Sequence, residues 1–304
     1  AGFYYKTFMW PKSFWYKVYE PFIRKAAGLG VASIKHDKER YEHKYEYCDL
    51  LVAGSGPSGL ASAYAAAKNG ARVILAEDKP RFGGSLLTSE VNIGNQSGKE
   101  WADNIISELK EMPNVIVKNR SQVFGYYDHN MLVMSEKLSD HLPKTKKYNP
   151  KQRLWYIRAK EVVISSGSIE RPLVFGNNDT PGVMLSSAAK EYLKVYGVLV
   201  GKKPLIFTNN DSGYETAIEF KKNGVDPVVL DTRKELKSEI IDEAKKLNIQ
   251  IKFSYVVVAA KGYKKVKSAE VAKISDDKKK LGALENINCD CICVSGFWTP
   301  TIHL

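Results

Sequence analysis

The chain has 304 residues, 44% of them apolar, four cysteines and a formal net charge of +12. That is enough to bury a large core in one or two domains, and it excludes a disordered, collagen-like or disulfide-stapled chain. No apolar run of about eighteen residues could span a bilayer and no charged start followed by an apolar stretch reads as a signal peptide, so no membrane association and a cytoplasmic location are expected. The charge could attract nucleic acid, and its densest run, residues 144–153, holds five Lys or Arg. No nucleic-acid motif accompanies it, so a solvated basic face or a patch for an acidic partner is the better reading. The chain begins Ala1-Gly2-Phe3 and stops at Leu304, and it reads as part of a longer protein.

Ten of the first 22 residues are aromatic, among them Trp10, Phe14, Trp15 and Phe22. Such a density either wraps an arm over its own domain or forms an interface with another chain, because aromatics dominate both cores and interface hot spots. Residues 12–19 and 21–27 read as short helices ended by Gly28, followed by a polar linker to Tyr47.

A strand over 49–53 then runs into Gly54-Ser55-Gly56-Pro57-Ser58-Gly59, a small-residue helix follows, and a second strand over 72–76 ends at Glu77, 18 residues beyond Gly59. The order strand, glycine turn, helix, strand, acid is the signature of a dinucleotide site. The first glycine turns the chain off the strand, the second admits a pyrophosphate to the backbone, and the third packs the helix on the sheet. The helix N-terminus favours an anion, and Glu77 can accept hydrogen bonds from ribose hydroxyls. An acid there disfavours the 2′-phosphate of NADP but does not separate NAD from FAD. Gly83-Gly84 follows, where bare backbone could approach a ligand.

A helix over 98–111 leads to a strand over 114–118. Short strands over 121–127, 131–134 and 152–158 read as a small antiparallel insertion. An apolar strand over 161–165 opens onto Ser166-Gly167-Ser168 and Glu170-Arg171-Pro172, again at the C-terminal strand edge where open α/β sheets bind ligands. From Pro204 the pattern restarts, with a strand over 205–208, the turn Asn209-Asn210-Asp211-Ser212-Gly213, a helix over 214–223, a strand over 227–230 and the acid Asp231, 18 residues beyond Gly213. Asn209 and Asp211 replace two glycines there. Their side chains fill the space a pyrophosphate needs and Asp211 adds negative charge, so this second site is expected to be empty.

A last strand over 289–295 leads to Gly296. Cys289, Cys291 and Cys293 alternate along it, which suits one face of buried thiols and not a zinc knuckle; Cys48 has no partner nearby, so neither a disulfide nor a dithiol centre is expected. The five histidines fall mostly in polar turns, and no nucleophile, metal cluster or acid–base pair is assembled. The expected fold is α/β, with two dinucleotide-binding domains of glutathione-reductase type, a β-meander insertion and an N-terminal aromatic arm. The units are 1–47, the arm and linker; 48–182, the first dinucleotide domain; 183–288, a degenerate second one; and 289–304, a closing strand.

Several segments narrow the resemblance: the aromatic opening from Gly2 to Pro11, Ala53 to Gly59, Gly167-Ser168-Ile169-Glu170-Arg171-Pro172-Leu173-Val174-Phe175, Pro181-Gly182-Val183-Met184, Asn209-Asn210-Asp211-Ser212 and Thr299 to Leu304. With these the chain resembles the α subunit of heterotetrameric sarcosine oxidase over nearly its whole length. The resemblance implies NAD, held without turnover, where relatives of the fold hold FAD. It implies sarcosine oxidation at FAD in the β subunit, FMN at the α/β interface and electron transfer to oxygen, with γ and δ subunits completing the complex. By resemblance Gly54, Ser55, Gly56, Pro57, Ser58 and Gly59 wrap the pyrophosphate. Glu77 and Asp78 hold the adenosine ribose, and Gly83, Gly84 and Ser85 the far half. Val123 offers backbone to adenine, and Ser166, Gly167 and Gly296 close the pocket. Two departures stand out: Phe297 replaces an expected glycine near the cofactor, and the folate-binding C-terminal region of that subunit is missing. The competing expectations are a self-contained oxidoreductase with FAD at the first site and NAD(P)H at the second, the related α subunit of an opine or proline dehydrogenase, and an assembly module with no ligand.

Overall fold

A computed structural model describes residues 10–30, 32–143, 150–277 and 279–303. It divides into two units, Ala1–Arg40 and Tyr41–Leu304. The aromatics before Trp10 and most of the basic run, residues 144–149, lie outside the described residues. In the first unit a π-helical turn, Trp15–Tyr19, leads into α1, Glu20–Ala26, in place of the two α-helices expected. Pro21 sits in the first turn of α1, where its missing N–H costs nothing, and Arg24 donates to Glu20 one turn away at 2.6 Å. Gly28 ends the segment at φ +69°.

The second unit opens with β1, Tyr41–Ala53, so the end of the expected linker, from Tyr41 to Tyr47, is strand. Next come β2, Val73–Ala76, the short hairpin β3, Asn92–Ile93, and β4, Gln96–Ser97, then β5, Val115–Lys118, β6, Ser121–Tyr127, β7, Met131–Lys137, and β8, Gln152–Ile164. The order β5-β2-β1-β8-β7-β6 makes one six-stranded sheet, parallel from β5 to β8 and antiparallel beyond. The two strands expected over 152–165 are thus one. β8 pairs with β7 along its first half and with β1 along its whole length, Tyr41 opposite Gln152 and Ala53 opposite Ile164. The reason is visible in β1: Leu51, Val52 and Ala53 form the continuous apolar run of a strand covered on both faces, whereas residues 41–47 are polar and aromatic and largely exposed. Helix α2, Pro57–Lys68, lays Leu60, Ala63 and Ala67 on the sheet beside α3, Gly98–Glu111, whose start carries a reciprocal Ser97–Glu100 capping box.

After β9, Ser168–Arg171, and β10, Val183–Leu185, comes α4, Ser186–Tyr196, followed by β11, Pro204–Thr208, α5, Ser212–Lys222, β12, Val228–Asp231, α6, Glu239–Lys246, and β13, Gln250–Phe253. An antiparallel meander of β14, Tyr255–Gly262, β15, Val266–Ile274, and β16, Leu281–Asn288, precedes β17, Cys291–Ser295, and β18, Phe297–Pro300. β10-β17-β11-β12-β13 is an all-parallel sheet, and β18 pairs with β9 in a two-stranded ribbon. This is the two-dinucleotide-domain plan, each half a parallel sheet with its own meander. Cys291 and Cys293 pack with the helices, but Cys289 lies before β17 in the cluster on the meander side, so the three thiols do not share one face.

Candidate dinucleotide site

Backbone contacts fix the glycine loop between β1 and α2. A Cβ on Gly54, φ +104°, would lie 2.3 Å from the Ser165 carbonyl oxygen, and one on Gly59 would lie 1.9 Å from the Gly54 carbonyl oxygen. Both must be glycine for the loop to close against the end of β8 and for α2 to reach the sheet. Gly56 differs, since nothing lies within 4 Å of its would-be Cβ and its φ of −66° suits any residue. Its bareness has no internal cause, as it would if a ligand occupies that space. No side chain caps α2, Pro57 stands at its first turn, and Pro57 and Ser58 are exposed. The contrast with the capped start of α3 leaves the amide groups at this end available to an anion.

Glu77 closes β2 and is 6% exposed. Its Oε2 accepts from the Ser55 amide at 2.9 Å and the Ser55 hydroxyl at 2.5 Å, and its Oε1 accepts from the Lys79 amide at 2.9 Å. Burial, then the neighbouring Asp78 carboxyl, push the Glu77 carboxyl above its ordinary range, while the Ser55 and Lys79 bonds pull it back. The Gly83 amide donates to the Ser55 carbonyl oxygen at 3.1 Å and to its hydroxyl at 3.2 Å. Gly83 stands at φ +117° and Gly84 at +54°, and a Cβ on Gly84 would meet the Gly56 Cα at 2.8 Å. The loop, the acid and the Gly83-Gly84 turn are therefore one assembly.

Ser55 requires a correction. It is fully buried and its amide is committed to Glu77, so it sits beneath the loop and does not face a pyrophosphate. Gly296 is fixed from within the protein. It is buried, its amide bonds the Arg171 carbonyl oxygen at 2.8 Å, and a Cβ would come within 2.4 Å of that atom, so the close approach of two strands explains it. Phe297 pairs with Arg171 and is 57% exposed. Asp78, Gly84, Ser85, Ser166 and Gly167 are exposed beside the assembly. Val123 buries its side chain with Trp155, on a strand whose start bonds the Glu77 carbonyl oxygen at 2.8 Å from the Ser121 amide, leaving backbone for any ligand contact.

Two further partners leave no local signal in the sequence. The Ser166 hydroxyl donates to the Thr301 carbonyl oxygen while the Thr301 amide donates to Gly167 at 3.0 Å, so residues after β18 brace that turn. Lys79, besides its amide bond to Glu77, reaches Glu191 on α4 at 2.8 Å and ties the first half to the second. Both are contacts between residues more than a hundred positions apart, with no local pattern to betray them.

The corresponding loop of the second half is filled by its own side chains. The Ser212 amide donates to Asn210 Oδ1 at 2.9 Å, the Asn210 side-chain amide donates to the Gly296 carbonyl oxygen, and the Trp298 indole donates to Ser212 Oγ at 3.0 Å. Asp231, in the place of Glu77, is fully buried, accepts from the Tyr214 hydroxyl at 2.8 Å and is paired with Arg233 at 2.9 Å. Arg233 also holds Asp211 at 2.8 Å. No group of His, Cys, Asp and Glu suited to a metal occurs among the described residues, and no described helix is long and apolar enough to cross a membrane.

The chain is 42% identical over its whole length to the sarcosine oxidase α subunit of Rhizobium meliloti (strain 1021), and 33% identical over 91% of its length to that of Corynebacterium sp. (strain U-96). It spans only 30% and 29% of these relatives. The thioredoxin reductase of T. acidophilum superposes with a TM-score of 0.62 over 84% of this chain and 78% of that one, at 16% identity, a likeness of fold. Residues 48–301 match the family described as pyridine nucleotide-disulphide oxidoreductase, and the chain, built of two dinucleotide folds, belongs to that family.

Proposed function

We propose that this chain is the dinucleotide-holding portion of the α subunit of a heterotetrameric sarcosine oxidase, and that it binds NAD once, at the opening of α2. The single observation that carries the site is Gly56: a bare position with open space before it, at the uncapped start of a helix, roofed by a glycine turn that packs on its Cα. The second loop supports a single site, because Asn210, Asp211 and Arg233 already satisfy its helix start and its acid. Amide groups at Gly56, Ser58 and Gly59 hold the pyrophosphate. Glu77, with Asp78 at its side, accepts the adenosine ribose hydroxyls through the lone pairs its protein partners leave and repels a 2′-phosphate. Gly83, Gly84, Ser85, Ser166 and Gly167 line the far half, and the Val123 backbone meets adenine.

The nicotinamide supplies hydride chemistry in general; here it is a resident group and this chain binds and shields it. By similarity to the relatives, sarcosine is demethylated to glycine at FAD on the β subunit, with FMN at the α/β interface, hydrogen peroxide as product, and the one-carbon unit passed to tetrahydrofolate in the complete assembly with γ and δ. The aromatic arm is the contact to a flavin-bearing subunit: Trp10 is 86% and Phe22 74% exposed, and wide aromatic surface of this kind is typical of interfaces. Mass spectrometry of the small molecule released from natively purified protein tests the reading. NAD is expected. FAD would support a self-contained flavoprotein instead, and the absence of any dinucleotide, with no rise in melting temperature on adding NAD, would support a pure assembly module.

A further inference from the structure

We infer that Ser55 is a positioning residue whose buried hydroxyl orients Glu77 and holds the glycine loop, the acid and the Gly83-Gly84 turn in one register. Its ribose consequence rests on the function proposed above; its consequence for the ligand-free fold does not.

With Glu77 ionised, the hydroxyl has one arrangement that satisfies both of its neighbours. Ser55 Oγ accepts from the Gly83 amide at 3.2 Å and donates its proton to Glu77 Oε2, an acceptor only, at 2.5 Å, and the Ser55 amide meets the same oxygen at 2.9 Å. Oε2 is thereby turned inward under the loop, and the other oxygen, held by the Lys79 amide, is the one left to face outward. The groups acting on the Glu77 carboxyl are Asp78, which disfavours its charge, and Lys79, whose amide favours it and whose ammonium, ion-paired to Glu191, also attracts it; the neighbouring strands bond the Glu77 backbone, through the Ser121 amide and the Lys118 carbonyl oxygen. In this setting the Ser55 hydroxyl is a main support of the ionised form. A hydrogen bond to a charged partner is the stronger kind, and its loss raises the affinity of the carboxyl for a proton.

Two signs follow for Ser55→Ala, and they are opposite. Without ligand, the folded-state carboxyl of the variant keeps its proton to higher pH. The variant's deficit in stability is then small near pH 5 and grows towards about pH 8, where the charge must be carried without the hydroxyl. For NAD the ribose needs the ionised acceptor, so the variant's affinity falls below wild type by about tenfold as pH is lowered over the same range. Glu77→Gln cannot titrate, and adding Ser55→Ala to it should leave both curves flat.

The experiment is thermal unfolding of ligand-free wild type, Ser55→Ala, Glu77→Gln and the double variant from about pH 5 to about pH 8, with NAD titration calorimetry on the same set. A deficit that widens with pH in Ser55→Ala and vanishes in the Glu77→Gln background is the expected result. A deficit equal at every pH, or none, overturns the positioning role. If wild type binds no NAD while the unfolding curves still diverge with pH, the cofactor reading fails and the Ser55–Glu77 coupling stands.

Discussion

Two glycines three residues apart make opposite demands. The would-be Cβ of Gly59 falls 1.9 Å from the Gly54 carbonyl oxygen, so Gly59→Ala must push α2 off the sheet, costing about 3 kcal/mol in urea denaturation. A Cβ on Gly56 meets no protein atom within 4 Å; the ligand-free melting temperature of Gly56→Val should stay close to wild type while NAD no longer raises it. Retained stabilisation by NAD would contradict the placement of the pyrophosphate. The buried thiols give a second prediction. Burial pushes Cys48 and Cys289 up to about 12 from an ordinary value of 9.0, so both stay neutral in the folded chain. The unfolded chain releases those protons first, hence stability is intact below about pH 9 and is lost as pH rises towards 12, by up to about 1.4 kcal/mol per pH unit for each thiol. A Cys48→Ala, Cys289→Ala variant should show a flatter alkaline limb in pH-dependent urea denaturation, and an unchanged slope would refute the assignment.

At the scale of elements, the two βαβ units have the same plan and diverge at their loops. In the second, Arg233 bridges the fully buried Asp231 and the half-exposed Asp211. Arg233→Ala leaves a buried carboxylate with no cation, held only by the Tyr214 hydroxyl and the amide of residue 233, and should destabilise by about 3 kcal/mol while NAD affinity is unchanged. A fall in NAD affinity would indicate that this loop takes part in binding. Both βαβ units were legible in the sequence, because a glycine turn, a small-residue helix and an acid are local signals at short spacing. So was the loss of glycines at Asn209 and Asp211. The meander of β14 to β16 was not, since runs such as residues 281–288, almost wholly exposed, lack the apolar alternation that marks a strand. The first half of β1 was missed for the same reason: residues 41–47 are strand because β8 pairs with them along their full length, a partner more than a hundred positions away. In the site, the glycines and Glu77 were legible, whereas the inward turn of Ser55 and the brace by Thr301 were not, because both depend on which atoms long-range folding brings together.

Across the whole molecule, the chain matches about three tenths of the sarcosine oxidase α subunits it resembles, and residues 48–301 carry the fold of a dinucleotide-binding oxidoreductase. On the function proposed above, the arm serves assembly. Trp10→Ala with Phe22→Ala should reduce recovery of partner subunits in affinity purification of the whole complex and leave NAD content per chain unchanged; equal loss of both would show that the arm supports its own fold. Occupation of one loop and not the other is the central expectation, and crystals grown with NAD test it directly. Density is predicted along the start of α2, between Gly56 and Gly84 with a ribose at Glu77, and none beside Asn210. An unfilled cleft at Gly56, or a dinucleotide lying against Asn210 and Arg233, would contradict it.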